Sequence, residues 1–113
     1  MADPAVIKKI KINTGVLKRM VKEHNSYVKE VESIKNKIAK MENEAQNDDD
    51  RYAIKKTGEV LQETAAMIGD TSRRCASYLN ELKKMLEEYN LSEEIQEVID
   101  ASEQIKAAEA IVA

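Results

Sequence analysis

The chain has 113 residues, which suits one domain with a single core, and 35% of them are charged. It contains no Trp, no Phe, one Pro and three Gly, a composition typical of long amphipathic helices and poor in the aromatic residues that sheets favour. Its 18 basic residues are scattered among 21 acidic ones, and the net charge of -3 makes nucleic acid an unexpected partner.

Two further absences in the sequence concern its compartment. No apolar run approaches the roughly 18 residues of a membrane span, and the first residues lack the apolar core of a signal peptide. A lone cysteine, Cys75, cannot form an internal disulfide, which agrees with a reducing environment. We therefore expect a cytoplasmic protein without a membrane partner.

The first long segment, about residues 4–45, repeats its apolar residues every seven positions. One series is Ile10, Leu17, Val31, Ile38 and Ala45. A second series lies three residues after positions 17, 24, 31 and 38 of the same repeat. It consists of Met20, Tyr27, Ile34 and Met41. Both series fall on one stripe of a helix, in the a and d positions of a coiled coil, and the residues between them are densely charged. The pattern predicts a long helix that needs a partner for its stripe.

The start of this segment carries a capping signal. Asp3 before Pro4 is typical of a helix start, because the Asp side chain accepts hydrogen bonds and Pro fits the first turn. Gly15 costs about 1 kcal/mol relative to Ala inside a helix. Ile10 and Leu17 nevertheless stay in phase across Gly15, so we predict a continuous helix.

A polar run, residues 42–51, separates the first segment from the second. Its three carboxylates Asp48, Asp49 and Asp50 suit the positive end of a following helix. A calcium loop would need alternating ligands, a central Gly and a terminal Glu, and this spacing lacks them. The run predicts a loop and a helix start.

The second segment, about residues 51–89, again has a seven-residue series. This series is Ile54, Leu61, Ile68, Cys75, Leu82 and Tyr89. Further apolar residues flank and widen the stripe, namely Val60, Met67, Leu79 and Leu86. A stripe of this width predicts contact with two neighbouring helices. Gly69, followed by Asp70, Thr71 and Ser72, is the poorest helix former in the segment and predicts a bend.

A third, weaker stripe follows the break at Asn90–Ser92 and predicts a helix over about residues 92–112. Its apolar residues alternate in steps of four and three, and small residues occupy its end. Short connections make consecutive helices antiparallel. The predicted fold is all-α, an antiparallel three-helix bundle with coiled-coil-like packing, two long helices and a shorter third, in one domain over residues 1–113.

The residues that could carry chemistry do not form a site in this pattern. His24 and Cys75 fall on seam positions, where they are expected to be structural. Gly15, Gly58 and Gly69 are isolated, so no phosphate-binding loop exists. A di-iron bundle would need Glu-x-x-His pairs, and the chain has one His. We predict no catalytic residue, no cofactor, no metal site and no enzymatic activity.

Basic doublets recur on the predicted outer faces of the first two helices. They are Lys18–Arg19, Lys55–Lys56, Arg73–Arg74 and Lys83–Lys84. Each doublet alone is typical of a solubilising surface, whereas together they suit a discontinuous positive surface that attracts an acidic protein. Ile12 and Val16 lie beside the seam, either incidentally or as part of a contact patch.

Three strings in this order resemble the tubulin-specific chaperone A family, also called tubulin folding cofactor A. They are KINTGVLKRMVKEHNSYVKE over residues 11–30, YAIKKTGEVLQET over residues 52–64 and MIGDTSRRCASYLNELKKMLEE over residues 67–88. The opening MADP also fits, and the resemblance weakens after Glu88. Two departures are Gly69, where the family commonly has proline, and a somewhat long polar run at residues 42–51.

The resemblance implies a three-helix cofactor that binds β-tubulin after release from the cytosolic chaperonin and before assembly with α-tubulin, without nucleotide or metal. It also implies a cytoplasmic place in the microtubule cytoskeleton system. For the partner-binding surface we expect the outward cations Lys18, Arg19, Lys22, Lys55, Lys56, Arg73 and Arg74. The alternative function is a homo-oligomeric coiled-coil scaffold or adaptor, whose seams pair between chains. A monomer is expected, and a dimer stays open.

Overall fold

The computed structural model describes residues 3–112, which form three α-helices and contain no strand. Helix α1 is Pro4–Glu44, α2 is Asp48–Tyr89 and α3 is Gln96–Val112. The predicted all-α fold with two long helices and a shorter third is confirmed. Contacts group the chain into two compact units: unit 1 comprises residues up to Glu23 and from Thr71 onward, and unit 2 comprises His24–Asp70. The single-domain assignment stays a prediction.

The start of α1 follows the capping pattern. The Asp3 Oδ1 atom accepts a hydrogen bond from the Ala5 N–H at 2.9 Å, and the Asp3 carbonyl accepts from the Val6 N–H at 3.0 Å. These bonds satisfy donors that the first turn leaves without helical partners. The helix then continues without interruption through Gly15, as the phase of the apolar series predicts.

Helix α2 begins at Asp48, three residues before the expected start at residue 51, and α1 ends at Glu44 rather than residue 45. Asn47 is the reason, because its Oδ1 atom accepts a hydrogen bond from the Asp50 N–H at 2.9 Å. The Asp50 Oδ2 atom in turn accepts from the Gln46 N–H at 3.0 Å. This reciprocal pair resembles a capping box and brings all three aspartates into the first helical turn.

Helix α3 begins at Gln96, four residues after the expected start at residue 92. Asn90, with φ of 45°, adopts the left-handed conformation that ends many helices and that Asn tolerates. The chain then makes a turn in which the Ile95 N–H donates to the Ser92 carbonyl at 3.3 Å. The Ile95 carbonyl accepts the first bond of α3, from the Ile99 N–H at 3.0 Å, so Ser92 lies outside the helix.

Unit 1 contains a core to which all three helices contribute. Its buried residues are Ile10, Leu17, Val21, Cys75, Leu79, Leu82, Ala101, Ile105 and Ala108. The a/d series of α1 and α2 thus meet inside one chain, and Leu79, on the flank of the α2 stripe, belongs to the same buried cluster as the α3 residues. The core of unit 1 is closed without a second chain.

Unit 2 consists of the second half of α1, the connection and the first half of α2. Its buried side chains among the described residues are His24, Val31 and Thr64, while Ile34, Leu61 and other seam residues are half-buried. Two helices cover only one side of each other. Val60, expected to contact a further helix, is instead 47% exposed.

Candidate functional site

The two residues most often used in catalysis lie in the seams, as their register predicts. His24 is buried on α1, and Cys75 is fully buried on α2. Burial raises the pKa of the Cys75 thiol, and the negative charge of Glu23 raises it further. A protonated thiol without solvent access is a poor nucleophile, so Cys75 acts as a small apolar residue of the core.

Buried threonine hydroxyl groups are also satisfied locally. The Thr14 hydroxyl donates to the Ile10 carbonyl at 2.7 Å, and the Thr64 hydroxyl donates to the Val60 carbonyl at 2.9 Å. Within residues 3–112, every buried side-chain nitrogen or oxygen has a hydrogen-bond partner. The same residues contain no group of three or more His, Cys, Asp or Glu side chains arranged to hold a metal ion.

All seven cations predicted to bind a partner are exposed. Those in unit 1 are Lys18, Arg19, Lys22, Arg73 and Arg74, and those in unit 2 are Lys55 and Lys56. They therefore belong to two compact units. Their role in binding stays a prediction.

Arg19 and Lys22 line a groove of about 570 Å³ in unit 1, which we call the α1–α2 groove. The other lining residues are Val16, Met20 and Glu23 of α1 and Tyr78 of α2. Met20 and Tyr78 are half-buried and pack against the core with their inner sides. The groove thus combines an apolar floor with two cations and one carboxylate, which suits contact with a partner better than a reaction.

Sequence reasoning missed Met20, Glu23 and Tyr78 as groove residues. Met20 belongs to the predicted seam of α1, and its half-burial agrees with that pattern but hides its outer surface. Tyr78 is likewise half-buried on α2. Val16 was recognised as lying beside the seam, and Ile12, one helical turn before it, is 56% exposed. The spacing of Ile12, Val16 and Met20 at every fourth residue was the signal that could have located this strip.

A second mixed strip lies on α2 in unit 2. Tyr52, Lys56 and Val60 follow one another at every fourth residue, and Tyr52 is 61% exposed. The Lys56 ammonium lies 5.4 Å from the centroid of the Tyr52 ring and 3.5 Å from the Glu59 carboxylate. Lys56 is therefore already engaged by neighbours on its own helix, in contacts weak enough for a partner to replace.

The remaining basic doublets have different surroundings. Arg74 is exposed on α2, one helical turn before Tyr78 of the α1–α2 groove. Lys83 instead forms an ion pair between α2 and α3, because its ammonium lies 3.6 Å from the Glu109 carboxylate.

No helix within residues 3–112 is long and apolar enough to cross a membrane.

Comparison with known proteins identifies the family to which the chain belongs. The sequence model of the family described as "Tubulin binding cofactor A" matches residues 5–112, nearly the whole chain. The chain belongs to this family. The resemblance carried by the three strings is thereby confirmed.

Relatives in animals and plants support the assignment. The chain is 46% identical over 101 residues to Tubulin-specific chaperone A of Rattus norvegicus, covering 89% of this chain and 90% of that protein. It is 45% identical over 101 residues to the Homo sapiens protein of the same name, with the same coverage. Tubulin-folding cofactor A of Arabidopsis thaliana is 37% identical over 107 residues, covering 93% of this chain and 92% of that protein.

Two solved structures of the cofactor A family share the fold. The crystal structure of tubulin folding cofactor A from Arabidopsis thaliana is similar with a TM-score of 0.84 and 36% identity, covering 96% of this chain and 99% of that chain. Human tubulin chaperone cofactor A is similar with a TM-score of 0.74 and 36% identity, covering 92% and 98% of the two chains. The three-helix fold is thus the family's fold.

Proposed function

We propose that this chain is a tubulin-folding cofactor that binds β-tubulin folding intermediates after chaperonin release and before assembly with α-tubulin. The observation that carries the proposal is membership of the tubulin binding cofactor A family over residues 5–112. Relatives that match nine-tenths of the chain are named tubulin-specific chaperones, which describes a holding protein and not an enzyme.

The mechanism follows from surface chemistry. A newly folded β-tubulin exposes the surface that α-tubulin later covers, and an apolar surface of this kind promotes aggregation until a partner covers it. A helical protein that binds this surface shifts the population toward the soluble, bound form by mass action. Release requires only that the next partner competes for the same surface. No nucleotide, metal or covalent step is needed, and the cytoplasm, where the microtubule cytoskeleton forms, is the proposed location.

The exposed cations are proposed to guide the encounter. β-Tubulin is acidic, and complementary charge speeds and orients association. The proposed contacts are Lys18, Arg19, Lys22, Lys55, Lys56, Arg73 and Arg74. Because exposed charges are screened within about 8 Å at physiological ionic strength, affinity is expected to fall as salt rises.

Co-elution from a size-exclusion column tests the function. We expect the purified chain to elute with β-tubulin and not with α-tubulin. Reversal of the cations to Glu in three groups, residues 18/19/22, 55/56 and 73/74, should weaken binding while circular dichroism stays unchanged. Lys35→Glu with Lys37→Glu, two exposed lysines outside the set, is the matched control. Equal affinity of all variants at low and moderate salt would refute the placement of the surface, and failure of the parent to bind β-tubulin would refute the function.

The scaffold alternative requires seams that pair between chains. In unit 1 the seam residues Ile10, Leu17, Cys75 and Leu82 are fully buried within a single chain. This intramolecular closure supports the proposed monomer. Sedimentation equilibrium should give the monomer mass over a wide range of concentrations, and a concentration-dependent mass would favour the scaffold.

A further inference from the structure

The α1–α2 groove is an unfilled helix-packing position. In the core of unit 1, α3 contributes Ala101, Ile105 and Ala108, which pack with residues of both α1 and α2. The groove lies between α1 and α2, and among residues 3–112 its lining comes from those two helices. A pair of packed helices offers such a groove to the side chains of another helix. α3 does not occupy this one.

The floor of the groove offers apolar contact on a supported surface. Val16, Met20 and Tyr78 provide it, and Ile12 extends it by one turn along α1. Met20 and Tyr78 are backed by the core, so their outer surfaces are held in place, while the Met side chain can adjust to different partners. A bound helix would bury this floor with residues spaced at three and four positions.

The charge of the groove differs in sign from that of the whole chain. Arg19 and Lys22 contribute two positive charges and Glu23 one negative charge, whereas the chain as a whole carries -3. Cations beside an apolar floor favour a partner that presents carboxylates beside its apolar residues. Each copy of the chain carries a net charge of -3, so two copies repel each other, which disfavours a second copy as the occupant.

We infer that the α1–α2 groove binds an acidic amphipathic helix of the client protein, with apolar side chains on Val16, Met20 and Tyr78 and carboxylates at Arg19 and Lys22. This inference rests on the proposed function for the identity of the client, and it deepens that function by assigning a surface and a partner chemistry. It does not require the cations of unit 2.

Two pairs of variants test the groove against matched controls. Arg19→Glu with Lys22→Glu reverses the groove cations, and Lys84→Glu with Lys106→Glu makes the same change in charge at exposed sites outside it. Ile12→Ser with Val16→Ser removes apolar surface from the groove strip. Val28→Ser with Ile99→Ser does the same at exposed positions outside the groove. Circular dichroism and urea unfolding verify that each variant folds.

Binding to β-tubulin is the first readout. Each groove variant should weaken binding about ten-fold or more, and each control should stay within about two-fold of the parent. Equal binding by groove variants and controls would overturn the assignment of the groove while leaving the proposed function intact.

A synthetic amphipathic helical peptide, with Leu on one face and Glu beside it, is the second readout and does not depend on tubulin. The parent should bind this peptide more tightly than a version with Gln in place of Glu. Arg19→Glu with Lys22→Glu should abolish that preference. If the parent binds neither β-tubulin nor the peptide, both proposals fail; if it binds the peptide alone, the groove assignment stands and the proposed function fails.

Discussion

Arg19 of α1 and Tyr78 of α2 line the same groove of unit 1, although they are far apart in sequence. The groove exists because Leu17, on the inner side of α1, and Leu79 and Leu82, on the inner side of α2, are buried in the shared core. Packing that stabilises the fold therefore also fixes the distance between the two groove walls. The stability of unit 1 and the shape of the candidate surface are consequences of the same contacts.

Removal of a core side chain should be costly in unit 1. Leu82 is fully buried, and we expect Leu82→Ala to lower the free energy of unfolding by about 2–5 kcal/mol through lost burial and a residual cavity. Val60→Ala, at a 47% exposed position of the same helix, should change it by about 0.5 kcal/mol or less. Urea unfolding measures both values, and similar losses for the two variants would contradict the assigned core.

The cap of α2 should contribute measurably to stability. Asn47→Ala removes the acceptor of the Asp50 N–H bond and should cost about 0.5–2 kcal/mol. Asn43→Ala, at an exposed helical position of α1, is the control and should be neutral or slightly stabilising. If thermal unfolding found no difference between the two variants, the capping role of Asn47 would be wrong.

Two glycines lower the stability of their helices without a steric reason. A Cβ atom added at Gly15 or Gly58 would meet nothing within 4 Å, and neither residue has a positive φ. We expect Gly15→Ala and Gly58→Ala each to raise the free energy of unfolding by about 0.5–1 kcal/mol, because Gly loses more backbone entropy on folding. Chemical denaturation checks this expectation, and a loss of stability in either variant would show that the glycine has another role.

The buried thiol predicts a dependence of stability on pH. Burial, and secondly Glu23, raise the pKa of Cys75 above its ordinary value of 9.0, so the folded chain holds this proton more tightly than the unfolded chain. The resulting stability is complete below pH 9.0 and is lost as the pH rises through the raised pKa. The stability advantage of the parent over Cys75→Ala should therefore shrink above pH 9.0 in urea titrations. A difference that stays constant with pH would refute this account.

The sequence pattern predicted the three helices well because each carries a strong periodic stripe. It predicted the buried seam residues of unit 1, including Leu17, Cys75 and Leu82, from their spacing alone. It misplaced the start of α2 because the polar side chain of Asn47, rather than an apolar residue, determines that boundary. The start of α3 was misplaced for a different reason, because Leu91 and Ile95 continue the helical spacing although the chain still forms a turn there after Asn90.

The wide apolar stripe of α2 predicted that its flanking residues contact a further helix. Burial agrees with this prediction at Leu79 and disagrees with it at Val60. Leu79 is buried in the cluster that includes the α3 residues, whereas Val60, an equally apolar flank position, is about half exposed. The spacing of α2 alone does not determine which of its flank positions another helix covers. The groove could not be predicted for a related reason, since the sequence does not reveal that Val16 of α1 and Tyr78 of α2 line the same groove.

Light scattering by β-tubulin as it leaves the chaperonin is the most direct test of the proposed holding function. With an equimolar amount of this chain, we expect β-tubulin to remain in solution and to pass to α-tubulin when that subunit is added. An unrelated helical protein of similar size and charge provides the control. Scattering that rises equally with this chain and with the control would contradict the proposal that this family member holds β-tubulin.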